Sequence, residues 1–189
     1  MEVLRERTFA NGTRFCLIHG DITAQEVDAI VNAANSQLAH GGGVAAVIAR
    51  KGGPVVWEQS RAWVKEHGPV PHDKPAYTAC GNLPCRYIIH AVGPVWHGGT
   101  QQEDEKLRAA IWGSLQRAEE LGLQSIAFPA ISTGIYRFPK KRAARIFYQT
   151  IEDYFAQHPT STLRDVRLVL YDRPTLEAFL QVWDNPDAA

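Results

Sequence analysis

Ala29-Ile-Val-Asn-Ala-Ala-Asn35, then His40-Gly-Gly-Gly43, then the run from Gly43 to Arg50, decides the fold. A short apolar run that ends in polar residues reads as a buried strand. Val44, Val47 and Ile48 fall on one face of a helical repeat, so the residues after the glycines read as a helix. Between them, three successive glycines strip the turn of side chains. The unit is a strand, a bare-backbone loop and a helix start.

The alternation extends in both directions. Val3 to Phe9 and Arg14 to His19 flank Asn11-Gly12, which predicts a hairpin. Val55 to Glu66 predicts a second helical piece, and Ala76 to Cys80 and Tyr87 to Val92 predict strands. Leu107, Ile111, Leu115, Ala118 and Leu121 recur at helical spacing, so Glu103 to Leu121 reads as a helix with Gly122 as its stop. Ser125 to Phe128 is a strand that runs into a loop at Pro129. Ala144, Phe147, Ile151 and Phe155 form one stripe of a helix from Lys140 to Phe155. Val166 to Leu170 is the last strand and Thr175 to Val182 the last helix. Strands alternating with helices after a hairpin indicate an α/β domain with a mixed, largely parallel sheet, the hairpin forming an antiparallel edge.

Composition narrows the function. The 189 residues are expected to form one domain over 1–189, with 45% apolar and 21% charged residues. Twenty basic residues balance twenty acidic ones, which argues against holding duplex nucleic acid by bulk phosphate neutralisation. No apolar run approaches the roughly 20 residues of a membrane helix. Met1 to Arg7 alternates charged with apolar residues and reads as no signal peptide. Three cysteines point to a reducing, cytoplasmic compartment. Cys80 and Cys85 are expected as buried thiols, not as zinc ligands, and His90 as a satisfied core histidine. His67, His72 and His97 show no ligand spacing, so neither a metal nor a cofactor is expected. Lys140-Lys141-Arg142 and Arg145 read as a solvated helix face that could meet a polymeric anion. A monomer is expected.

Three strand exits carry candidate chemistry. The first is Asn32 to Asn35 with the glycines that follow. The second is Pro129-Ala-Ile-Ser-Thr-Gly-Ile-Tyr136, again small residues ahead of a helix. Bare N–H groups next to a helix start can cradle an anion, and two such loops face to face would clamp a diphosphate. The third is Leu170-Tyr171-Asp172, where a base could stack on the aromatic ring. Each alone also fits a plain turn or a cover over the core edge, and their joint occurrence is what points to a ligand. No Gly-x-x-x-x-Gly-Lys or Gly-x-Gly-x-x-Gly pattern is present, so the clamp would work without a Walker lysine.

Gly20-Asp-Ile-Thr23, Ala29 to Asn35, Leu38 to Val44, Ile89 to Pro94, Ala127 to Tyr136 and Val169 to Asp172 together resemble the macrodomain family, in order and spacing across nearly the whole chain. The resemblance implies a three-layer α/β/α sandwich with a cleft for ADP-ribose. It implies an ADP-ribosyl hydrolase acting on mono-ADP-ribosylated protein, or on related esters such as O-acetyl-ADP-ribose or ADP-ribose 1''-phosphate. The alternative is a reader that binds the mark without turning it over, and a nucleic-acid or poly(ADP-ribose) binder is a third.

By the same resemblance Asp21 reads adenine, although Thr23-x-x-Glu26 nearby also suggests capping. Ile22 and Ala34 line the pocket and Tyr171 stacks on the base. Gly42, Gly43 and Val44 hold one phosphate, and Ser132, Thr133, Gly134, Ile135 and Tyr136 wrap the other. Asn35 orients the distal ribose, with Asn32 holding the loop backbone. Catalysis would draw on Asn35, Gly42 and Tyr136. Several hydrolytic relatives carry an acid where this chain has Ala45, which implies slow turnover. His40 is either a substitute base or a residue turned to solvent or packed in the loop.

Overall fold

The alternating apolar residues build a sheet whose two faces are both buried. Residues 1–187 are described in the computed structural model. Among them the strands are β1 (Glu2–Thr8), β2 (Arg14–His19), β3 (Ala29–Ala34), β4 (Ala76–Ala79), β5 (Tyr87–Val92), β6 (Ser125–Phe128) and β7 (Asp165–Leu170). Their order across the sheet is β1-β2-β7-β6-β3-β5-β4. The five inner strands run parallel, and β1 and β4 pair antiparallel at the two edges. The hairpin edge was expected. The second edge follows from the short connection between β4 and β5, which can join antiparallel strands but not parallel ones.

Side chains on a strand alternate between faces, so each inner strand feeds two cores. Phe15, Leu17, Val31 and Ile89 pack against α3 (Glu103–Glu120), α4 (Lys140–Gln157) and α5 (Arg173–Asp184). Cys16, Ile18, Ile30 and Ile88 pack on the other face against α1 (Gly43–Gly52) and α2 (Pro54–His67). The result is the three-layer α/β/α sandwich. Four helices run one or two residues beyond the stretches read from periodicity and α3 stops one residue short, at Glu120, because the end turns are set by caps. Asp172 caps α5 by accepting from Thr175 N–H and Oγ1–H. Gly122 closes α3 at φ +70°, a conformation that costs glycine little.

One connection creates the site. After β3 the chain moves out to the edge strand β4 and back to β5, then crosses past β3 to β6 and β7. The connections that follow the neighbouring strands β3 and β6 therefore depart to opposite faces, with α1 on one side and α4 on the other. A crevice opens at such a switch point, beyond the carboxyl ends of the strands.

Two local results were not expected. Cys80 and Cys85 form a disulfide, with Cα atoms 5.8 Å apart, across the connection between β4 and β5. The expected pair of free thiols is thereby corrected, and only Cys16 remains free and buried. An odd cysteine count hid a pair because spacing alone says nothing of how the chain turns back. The pairing also removes the argument for a reducing compartment that rested on that count. The second is Glu103, the buried first residue of α3. Its carboxylate accepts from the N–H groups of His97 (2.8 Å), Gly99 (2.9 Å) and Gln101 (2.6 Å) and pins the loop after β5.

Burial alone would raise the Glu103 pKa, but those N–H donors outweigh it and hold the carboxyl at about 2. An unfolded glutamate protonates near 4.3, so the unfolded state binds the extra proton between those values. The stabilisation is present above about 4.3 and is lost as pH falls toward 2. Glu103→Gln is expected to lower the melting temperature at pH 7, and the difference from the parent chain should shrink as pH drops below about 4.3. Melting curves across that range check this; a constant difference would assign Glu103 a packing role instead.

Candidate functional site

The crevice is a cleft of about 690 Å³ at the carboxyl ends of β3, β6 and β7. Such a volume suits a ligand of nucleotide size. Ala33, Ala34 and Asn35 line it where β3 ends, and the small alanines leave the space open. The glycine loop forms one wall and Pro129 to Tyr136 the other. Ile22 and Tyr171 stand at the end nearest β2 and β7.

The two walls are built from backbone. Gly42 caps α1 without any side-chain bond, and Gly43 follows at φ +58° in the left-handed region. Among the described residues, the N–H groups of Gly42, Gly43 and Val44 have no protein acceptor outside the helix. On the opposite wall Gly134, Ile135 and Tyr136 likewise keep their N–H groups unbonded. The walls face each other closely: a Cβ added at Gly42 would lie 3.6 Å from the Ile135 side chain. The helix start adds its partial positive charge to the first wall.

Ser132 carries a stronger sign. It sits at φ +69°, a left-handed conformation that costs a residue with a side chain about 1–2 kcal/mol. Its hydroxyl is buried in the cleft wall and has no hydrogen-bond partner. A buried unpaired hydroxyl is costly unless a ligand completes it. Gly93, at the end of β5, makes room for it, since a Cβ there would collide with the Ser132 hydroxyl. Sequence reading did not single out Gly93, because that contact crosses strands and leaves no local pattern.

The remaining residues of interest divide. Asn35 lines the cleft, and its carboxamide clamps the loop by donating to Ala39 O (2.7 Å) and accepting from Ala39 N–H (3.0 Å). Each amide group keeps one further hydrogen or lone pair for a ligand. Tyr171 is 81% exposed at the cleft edge. Asp21 lies beside the lining residues Gly20 and Ile22. Its carboxylate accepts from Thr23 N–H (2.8 Å) and Oγ1–H (2.6 Å) and pairs with Lys51 (3.3 Å), which together lower its pKa. Asp21, and not a Thr23–Glu26 box, therefore caps the 3-10 turn at Ile22–Ala24. Ala45 is buried in the first turn of α1 against the cleft.

His40 takes the packed alternative and corrects the reading of it as a base. The ring points neither to solvent nor into the cleft but is buried beneath the glycine loop. Its Nε2 bonds Ser60 Oγ at 2.9 Å, and its Nδ1 faces Asn32 Nδ2 at 3.4 Å. Asn32 bridges to a second ring, His90 Nδ1, at 3.0 Å, and His90 Nε2 reaches Thr78 Oγ1 at 2.9 Å. Asn32 thus links two histidines and does not hold the loop backbone directly. The Asn32 amide faces both Nδ1 atoms, and each Nε2 meets a hydroxyl. Burial lowers the pKa of each ring, that of His90 to about 3 with a further push from His40.

The Macro domain family model matches residues 31–147. The chain belongs to the macro domain family. A Saccharolobus solfataricus protein is 48% identical over 174 residues, which cover 92% of this chain and 94% of the relative. A macro domain-containing protein of Caldanaerobacter subterraneus subsp. tengcongensis is 44% identical over 171 residues, 90% of this chain and 96% of the relative. A Thermotoga maritima relative, 49% identical over 179 residues that cover 95% of this chain, is longer, and the match spans 30% of its length. The solved Oceanobacillus iheyensis macrodomain with ADP has a TM-score of 0.88 at 30% identity and covers 95% of this chain and 94% of its own. A Trypanosoma brucei macrodomain in complex with ADP-ribose has a TM-score of 0.80 at 28% identity, covering 89% and 68%.

In this macro domain the histidine pair works below the loop. An unfolded histidine protonates near 6.5, whereas native His90 resists a proton down to about 3. The unfolded state therefore binds more protons between those values, and stability is lost as pH falls through the window. His90→Gln is expected to cost about 1–3 kcal/mol at pH 7 by leaving buried partners unpaired. It should also flatten the decline of stability between pH 6.5 and 4. Denaturant unfolding at stepped pH checks both, and an unchanged slope would remove His90 as the titrating group.

Proposed function

We propose that this macro domain binds ADP-ribose in the cleft and slowly hydrolyses the bond between the distal ribose and a modified protein side chain, or a related terminal-ribose ester. The observation that carries the binding is the pair of facing walls of unbonded N–H groups. They offer donors to a diphosphate without any Lys or Arg lining the cleft. The neighbours crystallised with ADP and with ADP-ribose support the same ligand.

The rest of the ligand falls into place on the residues present. Gly42, Gly43 and Val44 donate to one phosphate. Ser132, Thr133, Gly134, Ile135 and Tyr136 wrap the other, and the Ser132 hydroxyl finds its missing partner there. Tyr171 stacks on adenine, and Asp21 accepts from its exocyclic amine through a lone pair that the cap leaves free. Ile22 packs beneath the base, Ala34 lies below the distal ribose, and Asn35 and Tyr136 hold that ribose at the β3 end.

Asp172 is the only acidic side chain lining the cleft among the described residues, and it is engaged as the cap of α5. It follows β7, two strands from β3, roughly 10 Å away. With Ala45 at the position of the absent acid and His40 buried, no side-chain base stands at the distal ribose. Water must then be placed by the substrate's own phosphate, Asn35 and the glycine-loop amides. A positioned acid or base contributes about 10²–10⁴-fold, and turnover is expected to be lower by that factor. The same gap favours the second reading, a module that holds the mark without cleaving it.

Calorimetry with ADP-ribose, AMP and NAD, followed by a release assay on an automodified protein, separates these readings. ADP-ribose should bind at micromolar concentration or below, and slow release identifies the hydrolase. Binding without release leaves the reader, and no binding at millimolar ADP-ribose overturns both. Ser132→Ala should weaken ADP-ribose about tenfold or more, as for a hydrogen bond to a charged group, while leaving thermal stability unchanged or higher. Equal loss of binding and stability would make Ser132 a structural residue.

A further inference from the structure

A second, smaller cavity of about 300 Å³ adjoins the cleft and shares Gly93 and Tyr136 with it. Ser36, the residue after Asn35, lines it too. The cavity therefore opens at the end of the cleft assigned above to the distal ribose. That is the end from which any group joined to the terminal ribose must leave.

Its lining is basic. His72, His97 and Lys106 contribute to it, and no acidic side chain does. The carboxylates nearby are committed elsewhere. Glu103 turns inward to the N–H groups of His97, Gly99 and Gln101. Asp104 pairs with Arg142 at 2.7 Å, Glu105 lines grooves beyond the cavity, and Asp73 lines the groove along α3. Lys106 forms no ion pair among the described residues. His72 is oriented by a bond from Nδ1–H to Val92 O, the last carbonyl of β5, so its Nε2 is left for a partner. The loop carrying His97 is held by Glu103, so the basic groups stand on anchored backbone.

The geometry points to a peptide subsite: this cavity takes acidic residues of the polypeptide attached to the terminal ribose. The proposal rests on the reading of the main cleft as an ADP-ribose site. It adds what that reading lacks, a reason for this chain to choose among modified proteins. The occupant is polypeptide because the cavity continues from the terminal ribose. It is acidic because Lys106, which has no ion pair among the described residues, meets it beside two histidine rings and no carboxylate.

The test uses peptides carrying one ADP-ribose through a hydrolysis-resistant linkage, flanked by Asp and Glu, by Ser and Gly, or by Lys and Arg. Calorimetry at low salt compares them with free ADP-ribose, so the measurement holds for a hydrolase or a reader. The acidic-flanked peptide should bind about tenfold tighter than the neutral one, the sum of a few partly exposed charge pairs, and the gain should shrink at moderate salt. Lys106→Glu and His97→Ser should each cut that preference while leaving free ADP-ribose affinity unchanged, which also shows that the variants fold. Equal affinity for the three peptides, or a preference indifferent to both substitutions, overturns the subsite alone. Failure of free ADP-ribose to bind overturns the cleft reading and the subsite with it.

Discussion

Two rows of backbone N–H groups without protein acceptors, facing each other across one crevice, are the constraint on which the rest of this molecule turns. Donors left open in a folded protein must meet water or an anion. Keeping them open requires bare backbone, which explains the run of glycines, and rigid supports on both sides. The supports are α1 and α4, which the strand order sends to opposite faces. Walls of neutral amides have a further consequence. The cleft carries no fixed positive charge, so shape and donor direction, more than long-range attraction, select its occupant.

The supports themselves rest on buried polar groups. Under the glycine loop, Ser60, His40, Asn32, His90 and Thr78 form a chain of contacts running from α2 through β3 and β5 to β4. Burying such a chain is costly unless its members pair, and Asn32 Oδ1 is left without a partner. On the far side Glu103 gathers three N–H groups of the loop after β5. Trp96 N–H in that loop donates to Tyr136 O at 2.8 Å, so the anchored loop also steadies the second wall. Both walls of the cleft are thereby tied to residues outside its lining.

Charge is divided between the two neighbouring pockets. Among the described residues the cleft is lined by one acidic side chain and no Lys or Arg, whereas the adjoining cavity is lined by Lys106, His72 and His97 and no acidic side chain. A chain with zero formal charge can therefore present an anion clamp and a separate basic pocket. Net charge limits bulk binding to polyanions but says nothing of such local partition.

Much of the fold was legible because apolar periodicity and turn residues act locally. The helix at Glu103–Glu120 follows from its leucine and alanine spacing, and the hairpin from Asn11-Gly12. The glycine loop and the Ser132-Thr133-Gly134 turn were also visible, since bare backbone is written directly in residue type. Where each side chain points was not. His40 precedes the glycines and reads as a base or as a residue turned to solvent or packed in the loop; only the pairing of β3 with β5 brings His90 opposite Asn32 and draws His40 inward. Cys80 and Cys85 meet because the chain reverses between β4 and β5, which no count of cysteines reveals. Local residue type thus determined the elements and the bare loops, because those depend on neighbours in the chain. Tertiary structure alone decided the strand order, the burial of the histidines and the closeness of the two walls, because those depend on contacts between residues far apart in sequence.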